Sequence, residues 1–272
     1  MAPNKIAMDW NGHGFGDRLL AGYISTILRD NGIDAYVLSS YPYYLVDCPA
    51  NDTVHRIALA YSWQAEHLAP NMISDTIKRL EALFEKQFVI RNNYIPVVFR
   101  ELDVPHVDVV VSGALGHKSN WLKWWPYFKE LKELFKKNGV TYADVADILR
   151  IPGPQTPAYW LEQSIRILNY VKNAKLYLGI ETGTGHYISK FASGKGLIIQ
   201  HGVLPFGFTC LYDYDKIELD VECKNCKIFS RRGICPNNHK CMKELTPRMV
   251  FDAVTNRLGS PKLVNPSVAI QT

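Results

Sequence analysis

Two glycine-rich turns carry residue types that could do chemistry in this chain. One of them, Glu181-Thr-Gly-Thr-Gly-His186, follows the short apolar run 176–180 and leads into an amphipathic run that ends at Ala192. A strand, a glycine-rich turn and a helix start present free N–H groups and the positive end of a helix dipole, which favour a phosphate. The glycines let a ligand approach the backbone closely. This turn therefore predicts an anion-binding site.

The other turn, Gly12-His-Gly-Phe-Gly-Asp17, lies between a predicted strand and a one-sided amphipathic helix. It lacks the full G-x-G-x-x-G spacing of a dinucleotide-binding turn. In the plainer interpretation it is a strand-to-helix turn in which Asp17 caps the helix. In the functional interpretation the Asp17 carboxylate is a general base that takes a proton from an acceptor hydroxyl.

A long loop follows the apolar strand 107–112 and ends in Lys123-Trp-Trp-Pro126. Long loops in compact folds are often functional. Its mixture of bases and aromatic residues could stack on a nucleobase or bind single-stranded nucleic acid. We favour a loop in which tryptophans pack beneath the backbone and Lys123 can contact an anion. A solvated loop lysine is the plain alternative.

Four of the six cysteines crowd into residues 223–241, as Cys223-x2-Cys226, eight residues, Cys235, five residues and Cys241. We expect a cytoplasmic location, because the N-terminus lacks a signal-peptide apolar region and no run approaches a membrane span. There such a cluster favours metal over disulfides. It could hold a structural, tetrahedral zinc, with His239 able to replace one thiolate. Packed reduced thiols, or a disulfide in an oxidising compartment, remain alternatives.

The elements that must position these residues follow from apolar periodicity. The chain has 272 residues, is 47% hydrophobic and 21% charged, and carries a net charge of +5. This charge suits an anionic ligand or nucleic acid and demonstrates neither. The patterns predict strands over 5–10, 34–39, 56–62, 107–112, 141–148, 176–180 and 196–200, a strand-rich segment over 88–99, and helices over 19–30, 71–87, 126–138, 159–171, 186–192 and 247–258.

Taken together, four motifs resemble those of family-nine glycosyltransferases, typified by lipopolysaccharide heptosyltransferases. The first is G-x-G-D before an apolar helix, here Gly14-Phe-Gly-Asp-Arg-Leu-Leu20, and the second is a basic residue before Trp-Pro, here Lys123-Trp-Trp-Pro126. The third is D-[ST]-G-x-x-H, here Glu181-Thr-Gly-Thr-Gly-His186, and the fourth closes a cysteine-rich loop, here Cys241-Met-Lys-Glu-Leu-Thr-Pro-Arg-Met-Val250. The match covers residues 1–31 and 107–258.

The resemblance implies a GT-B fold, an α/β architecture of two Rossmann-like domains that face each other across a cleft. We predict an acceptor domain over 1–105, a donor domain over 106–260 and a flexible tail over 261–272. The implied reaction is an inverting transfer from a nucleotide-diphosphate sugar without a catalytic metal. By motif position Asp17 is the catalytic base and Lys123 binds the donor phosphate. The residues implied in donor binding are Gly14, Gly16, Glu181, Thr182, Gly183, Thr184, Gly185 and His186.

Glu181 departs from the family, which usually has aspartate at this position. The additional methylene shifts the expected contact with the sugar, so we expect donor specificity to differ here. A saccharide is the favoured acceptor. A hydroxymethylated DNA base is the alternative, suggested by the net charge and the aromatic-basic loop. A third hypothesis is a GT-B module that binds a nucleotide sugar or a partner without turnover.

Overall fold

The structure, a computed structural model, describes residues 5–9, 15–38, 56–58, 72–91, 94–95, 97–113, 123–153, 156–201, 213–223, 235–259 and 270–271. It describes their side chains except for 5–9, 15–18, 36–38, 56–58, 72, 75, 157 and 270–271. The chain forms two compact units. The first comprises residues 1–99 with 186–190 and 207–212, and the second comprises 100–185, 191–206 and 213–272.

The first unit contains a three-stranded parallel sheet with the order β2-β1-β3. Its β-turn-α-β pattern predicts this arrangement, because a parallel pair of strands needs a crossover helix. The strands and the second helix fall within their predicted ranges. The elements are β1 Lys5–Asp9, α1 Phe15–Asp30, β2 Asp34–Leu38, β3 Arg56–Ala58 and α2 Met72–Phe84.

Helix α1 buries the face that its apolar spacing predicts. Six residues on this face are at most 3% exposed: Leu19, Leu20, Tyr23, Ile24, Ile27 and Leu28. The helix ends at Asp30, as predicted, and Gly32 follows with a φ of 81°, in the left-handed region that glycine adopts without strain. There the N–H of Ile33 donates to the carbonyl of Leu28, an ending that satisfies an otherwise unpaired helix carbonyl.

The prediction of a strand-rich segment over 88–99 is wrong for the residues described there, of which only one makes a strand-type bridge. Side chains take the backbone groups of this segment instead. The N–H of Val89 donates to Asn31 Oδ1 at 3.0 Å, and Asn31 Nδ2 donates to the Val89 carbonyl at 3.0 Å. The N–H of Ile95 donates to Ser189 Oγ at 3.2 Å. Buried backbone groups need partners, and here side chains replace a neighbouring strand.

The second sheet has six strands in the order β5-β4-β6-β7-β8-β9. Strands β4 to β8 are parallel, and β9 runs antiparallel to β8. The strands are β4 Val109–Ser112, β5 Tyr142–Asp144, β6 Leu176–Ile180, β7 Gly196–Ile199, β8 Tyr214–Ile217 and β9 Ile270–Gln271. The helices after residue 100 are α3 Phe128–Lys137, α4 Val145–Leu149, α5 Pro157–Asn173, α6 Gly183–Tyr187, α7 Ser189–Ala192, α8 Lys240–Lys243 and α9 Pro247–Arg257.

Every residue of β4, β6 and β7 is buried, as the continuous apolar runs predict for central parallel strands. One face of this sheet carries the main core cluster, to which α3 and α9 contribute Leu131, Phe135, Val250, Phe251 and Val254. Thr246 caps α9, accepting the N–H of Met249 at 3.3 Å. Among the described helices, none is both long and apolar enough to cross a bilayer.

Two strand predictions need correction in this sheet. Only residues 142–144 of the segment 141–148 form a strand, because Asp144 ends it and caps α4 by accepting the N–H of Ala146 at 2.8 Å. Lys132 holds the same carboxylate at 2.6 Å. Strand β8 was not predicted, because two of its four residues, Asp215 and Lys216, are charged and the segment has no apolar run.

Asn169 ties α5 to the segment that begins the second unit. This residue is fully buried. Its Nδ2 donates to the Arg100 carbonyl at 2.9 Å, and its Oδ1 accepts the N–H of Leu102 at 3.0 Å. The Asn169 carboxamide thus satisfies one donor and one acceptor in a segment without regular structure. At the other end of α5, Thr156 caps the helix and accepts the N–H of Tyr159 at 3.2 Å.

Lys195, just before β7, caps the carboxyl end of α5. Its Nζ donates to the carbonyls of Val171, Lys172 and Ala174 at 2.7, 2.9 and 2.8 Å. Burial lowers the pKa of this ammonium. All three N–H groups nevertheless have a partner, and a cation at a helix C-terminus is favourable.

Asp108 precedes β4 and joins the starts of three neighbouring strands. Its carboxylate accepts from Lys175 Nζ at 2.8 Å, from the Thr141 hydroxyl at 2.7 Å and from the Thr141 N–H at 2.9 Å. The Lys175 bond and the two Thr141 bonds lower the pKa of Asp108 from 3.8 to about 2.

Candidate functional site

The predicted donor loops leave the second sheet at its topological switch point. Strand β5 lies on one side of β4 and β6 lies on the other, so the chain goes from β4 to β5 in one direction and then returns past β4 to β6. In open α/β sheets, ligands bind outside the carboxyl ends of the strands at such a point. Ser112 pairs with Gly179 near these ends. The segments that follow, 113–126 and 181–186, are the two that the sequence assigns to donor binding.

The end of β6 is fixed by a close approach that only glycine allows. A Cβ at Gly179 would lie 2.3 Å from the hydroxyl oxygen of Tyr177. Tyr177 is fully buried, and burial raises the pKa of its phenol. The neutral ring lies over the Gly179 backbone and leaves no space for a side chain there. The strand therefore enters the turn at Glu181 from a rigid position.

Trp125 fixes the segment that carries Lys123. The indole is fully buried, and its Nε1 donates to the Leu245 carbonyl at 2.7 Å. Its ring meets those of Tyr127 and Phe128 edge to face, with centroids 5.7 and 5.0 Å away. Such contacts add to the energy of burial. Lys123 is thus held two residues from a rigid ring.

The expectation that tryptophans pack beneath this loop is confirmed for one residue and wrong for another. Trp125 is buried, whereas the side chain of Trp124 is 51% exposed. Trp121 and the rest of the loop from 114 to 122 lie outside the described residues. The packed ring and the exposed ring are neighbours in the chain, which makes them a matched pair for mutation.

Glu181 and Lys123 form an ion pair at the carboxyl edge of the sheet. Lys123 Nζ lies 3.2 Å from Glu181 Oε2, and their side chains are 17% and 13% exposed. The sequence predicts a role for each residue but not this contact. Charges that are largely removed from water need a counter-ion, because desolvation is otherwise costly. An ammonium held in this way is suited to an anionic ligand that can replace the carboxylate.

His201 is the third member of this group and was not predicted. Its side chain is fully buried, and Nε2 lies 2.8 Å from Glu181 Oε2. Burial lowers the pKa of this imidazole, and the Lys123 charge acts in the same direction, whereas Glu181 opposes them. Its position just after β7 is a signal that could have revealed it. The carboxyl ends of adjacent parallel strands meet at one edge, so polar residues that follow β6 and β7 are expected to be neighbours.

The turn after Glu181 forms the short helix α6 rather than one helix over 186–192. Gly183, Thr184 and Gly185 lie in α6, and Ile188 separates it from α7. His186, in α6, is 6% exposed. The buried hydroxyl of Thr182 has no hydrogen-bond partner among the described residues. A helix this short has a weak macrodipole, so we assign most of the anion preference to Lys123 and to local N–H and O–H groups.

Of the predicted turn from Gly12 to Asp17, the structure describes only residues 15–17, which begin α1. Gly16 and Asp17 lie in the first turn of α1, which begins at Phe15. Gly14 lies outside the described residues, and the side chain of Asp17 is not described. The assignment of Asp17 as a general base therefore stays a prediction.

Three of the four clustered cysteines lie in the described part of the chain. Cys223 and Cys235 are half-buried and Cys241 is buried, whereas Cys226 lies outside the described residues. Within the described part of the chain no group of three or more His, Cys, Asp or Glu side chains is placed to hold a metal. His239 precedes α8 with a left-handed φ of 58°. Burial and then the charge of Lys243 lower its pKa.

Comparisons with solved structures show the fold. The iron-containing dodecameric glycosyltransferase TibC of enterotoxigenic E. coli matches with a TM-score of 0.64 and 11% identity, over 95% of this chain and 77% of its own. The dodecameric iron-containing heptosyltransferase TibC in complex with ADP-D-β-D-heptose gives 0.61 and 12%, over 94% and 76%. A family-nine glycosyl transferase of Veillonella parvula gives 0.52 and 12%, over 93% and 97%.

These neighbours confirm the resemblance to family-nine glycosyltransferases and the GT-B fold at the level of architecture. Sequence comparison adds nothing to this, because no family model and no curated protein matches the chain. At 11–12% identity the activity of a neighbour does not transfer to this chain by itself. Function must be argued from the residues at the site.

Proposed function

We propose that this protein is a glycosyltransferase that moves a sugar from a nucleotide-diphosphate sugar to an acceptor hydroxyl. The observation that carries the proposal is the largely buried Lys123–Glu181 ion pair at the carboxyl edge of the second sheet. A lysine in such a place, two residues before the buried Trp125, can stabilise the charge that develops on a leaving diphosphate. The neighbour described in complex with ADP-D-β-D-heptose supports this donor class.

The donor half of the reaction is assigned to the end of β4 and to the turn after β6. Lys123 neutralises the diphosphate, and the Thr182 hydroxyl, buried and without a described partner, donates to it. Gly183 to Gly185 admit the ligand close to the backbone. Glu181 and His186 face the donor sugar in this assignment, as their motif positions imply.

The acceptor half is assigned to Asp17. In an in-line displacement its carboxylate takes the proton of an acceptor hydroxyl, the oxygen attacks the anomeric carbon, and the bond to the diphosphate breaks with inversion. No divalent cation is required in this scheme, because Lys123 and the N–H groups of the turn stabilise the leaving group. A saccharide is the favoured acceptor.

The cysteine cluster is proposed as a structural metal site with no part in the reaction. Four thiolates from Cys223, Cys226, Cys235 and Cys241 would complete a tetrahedral shell without an open position. Zinc is the ion predicted from the spacing. Because the neighbouring TibC is described as iron-containing, elemental analysis of the purified protein must measure both metals. Cys241→Ser is expected to lower the metal content and the thermal stability together.

The decisive experiment is a donor screen followed by the Asp17→Asn variant. Thermal shift with nucleotide sugars identifies the donor, because a bound ligand raises the apparent stability. Transfer is then measured with saccharide acceptors and with duplex DNA that contains hydroxymethylated bases. Loss of a general base is expected to reduce kcat by about 10²- to 10⁴-fold while donor binding persists. Near-wild-type turnover of Asp17→Asn would show that the base is another group, and binding without transfer for every acceptor would favour a non-catalytic module.

A further inference from the structure

Among the described residues, one carboxylate oxygen at the candidate site contacts two partners of different kinds. Glu181 Oε2 lies 3.2 Å from the ammonium of Lys123 and 2.8 Å from Nε2 of His201. Lys123 is the more accessible of the two, with 17% of its side chain exposed, whereas His201 is fully enclosed. A ligand that arrives from solvent therefore reaches Lys123 first.

The two partners differ in what they supply to the carboxylate. An ionised carboxylate can only accept hydrogen bonds, so the hydrogen between the two side chains belongs to His201 Nε2. Burial lowers the pKa of His201, which agrees with a neutral ring in the Nε2–H tautomer. Lys123 contributes a positive charge, and His201 contributes a fixed neutral donor. If the carboxylate separates from the Lys123 ammonium, it can still accept the hydrogen bond from His201.

We propose that in the ligand-free protein the Glu181 carboxylate pairs with Lys123 at the position where a diphosphate binds. When a nucleoside diphosphate binds to Lys123, the carboxylate leaves Lys123 and stays hydrogen-bonded to His201. This inference rests on the proposed function, since it assumes that Lys123 binds the donor phosphates. It adds that the site carries its own competing anion, and that His201 is a positioning residue for this exchange.

The exchange follows from the charges at the site. A largely buried ammonium needs a counter-ion whether or not the donor is present, because an unpaired buried charge is strongly unfavourable. A diphosphate carries more negative charge than one carboxylate and so replaces it on Lys123. After transfer, Glu181 can return to Lys123 and assist release of the nucleoside diphosphate. The sugar contact alone would require neither the Lys123 contact nor His201.

The test measures binding of free nucleoside diphosphates, ADP, GDP and UDP, to the full chain by calorimetry. Glu181→Gln keeps the side-chain shape and removes the competing charge, so affinity for the preferred diphosphate is expected to rise about tenfold, the size of one hydrogen bond to a charged group. Glu133→Gln is the matched control, because it removes one negative charge from an exposed ion pair on α3 and is expected to change nothing. Unchanged affinity in Glu181→Gln would overturn the inference.

The role of His201 is tested by a pair of substitutions. His201→Leu removes the Nε2–H donor, so Glu181 stays on Lys123 and the affinity for a nucleoside diphosphate is expected to fall several-fold. His201→Gln places an N–H near the position of Nε2 and is expected to restore this affinity. In the Glu181→Gln background, His201→Leu is expected to have no further effect on binding. A merely structural role would instead lower affinity equally in both backgrounds and would not be rescued by glutamine.

Lys123→Met separates failure of the inference from failure of the proposed function. If Lys123→Met abolishes diphosphate binding and Glu181→Gln leaves it unchanged, Lys123 binds the donor and only the exchange is wrong. If Lys123→Met binds diphosphates as the wild type does, or if neither the wild type nor Glu181→Gln binds any of them, the proposed donor site is wrong and the inference falls with it.

Discussion

Replacement of Trp125 by phenylalanine tests how the lysine loop is held. The change removes the Nε1–H that donates to the Leu245 carbonyl at 2.7 Å and keeps a ring that can still face Tyr127 and Phe128. A buried carbonyl left without its donor costs about 1–3 kcal/mol. The space left by the smaller ring adds about 1 kcal/mol. The free energy of unfolding of Trp125→Phe is therefore expected to fall by about 2–4 kcal/mol.

The neighbouring residue supplies the control. Trp124→Phe makes the same chemical change at a side chain that is 51% exposed, and an effect within about 0.5 kcal/mol is expected. Urea unfolding followed by circular dichroism gives both free energies. Because Trp125 holds Lys123, its variant is also expected to bind nucleoside diphosphates more weakly under conditions where it is fully folded. Equal stabilities of the two variants, or a destabilised Trp125→Phe with undiminished binding, would refute the reasoning.

The remaining predictions concern stability. Gly179→Ala places a Cβ 2.3 Å from the Tyr177 hydroxyl and is expected to cost about 1–3 kcal/mol in urea unfolding, with Tyr177→Leu relieving part of the loss. Asn169→Ala leaves a backbone N–H and a carbonyl without their partners and is expected to cost about 2–3 kcal/mol. The pKa of Asp108 is lowered from 3.8 to about 2, so its contribution to stability is present above pH 4 and lost as the pH falls toward 2. In a melting-temperature series, the difference between wild type and Asp108→Asn is expected to shrink over that range, and a constant difference would contradict the assignment.

The regular elements could be predicted wherever burial follows a simple period. Helix α1 has one apolar face, and β4 and β6 are continuous runs of mainly apolar residues, so both patterns are visible in the sequence. The segment 88–99 also has an apolar composition, but side chains such as Asn31 take its backbone hydrogen bonds. Strand β8 contains charged residues that form ion pairs, including Asp215 with Arg257. In both cases partners that are distant in sequence decide the structure.

The candidate site was predictable one residue at a time, but its contacts were not. Lys123 and Glu181 stand out because each belongs to a motif, and the structure brings them together at the edge where parallel strands end. His201 belongs to no motif, and only the adjacency of β6 and β7 makes it a neighbour of Glu181. The order of strands in a sheet depends on the packing of the whole chain, so spacing alone cannot supply it.

The ammonium of Lys195 also links parts of the chain that open together. It joins three carbonyls at the end of α5 to the residue just before β7, and the N–H of Tyr177 in β6 donates to the Lys195 carbonyl at 2.9 Å. The helix before β6 and the strand beside it therefore share one set of hydrogen bonds. Local unfolding of either element breaks contacts of the other, so the two are expected to exchange their amide hydrogens as one cooperative unit. Glu181 directly follows β6, so loss of the hydrogen bonds of Lys195 is expected to disturb the position of Glu181 as well.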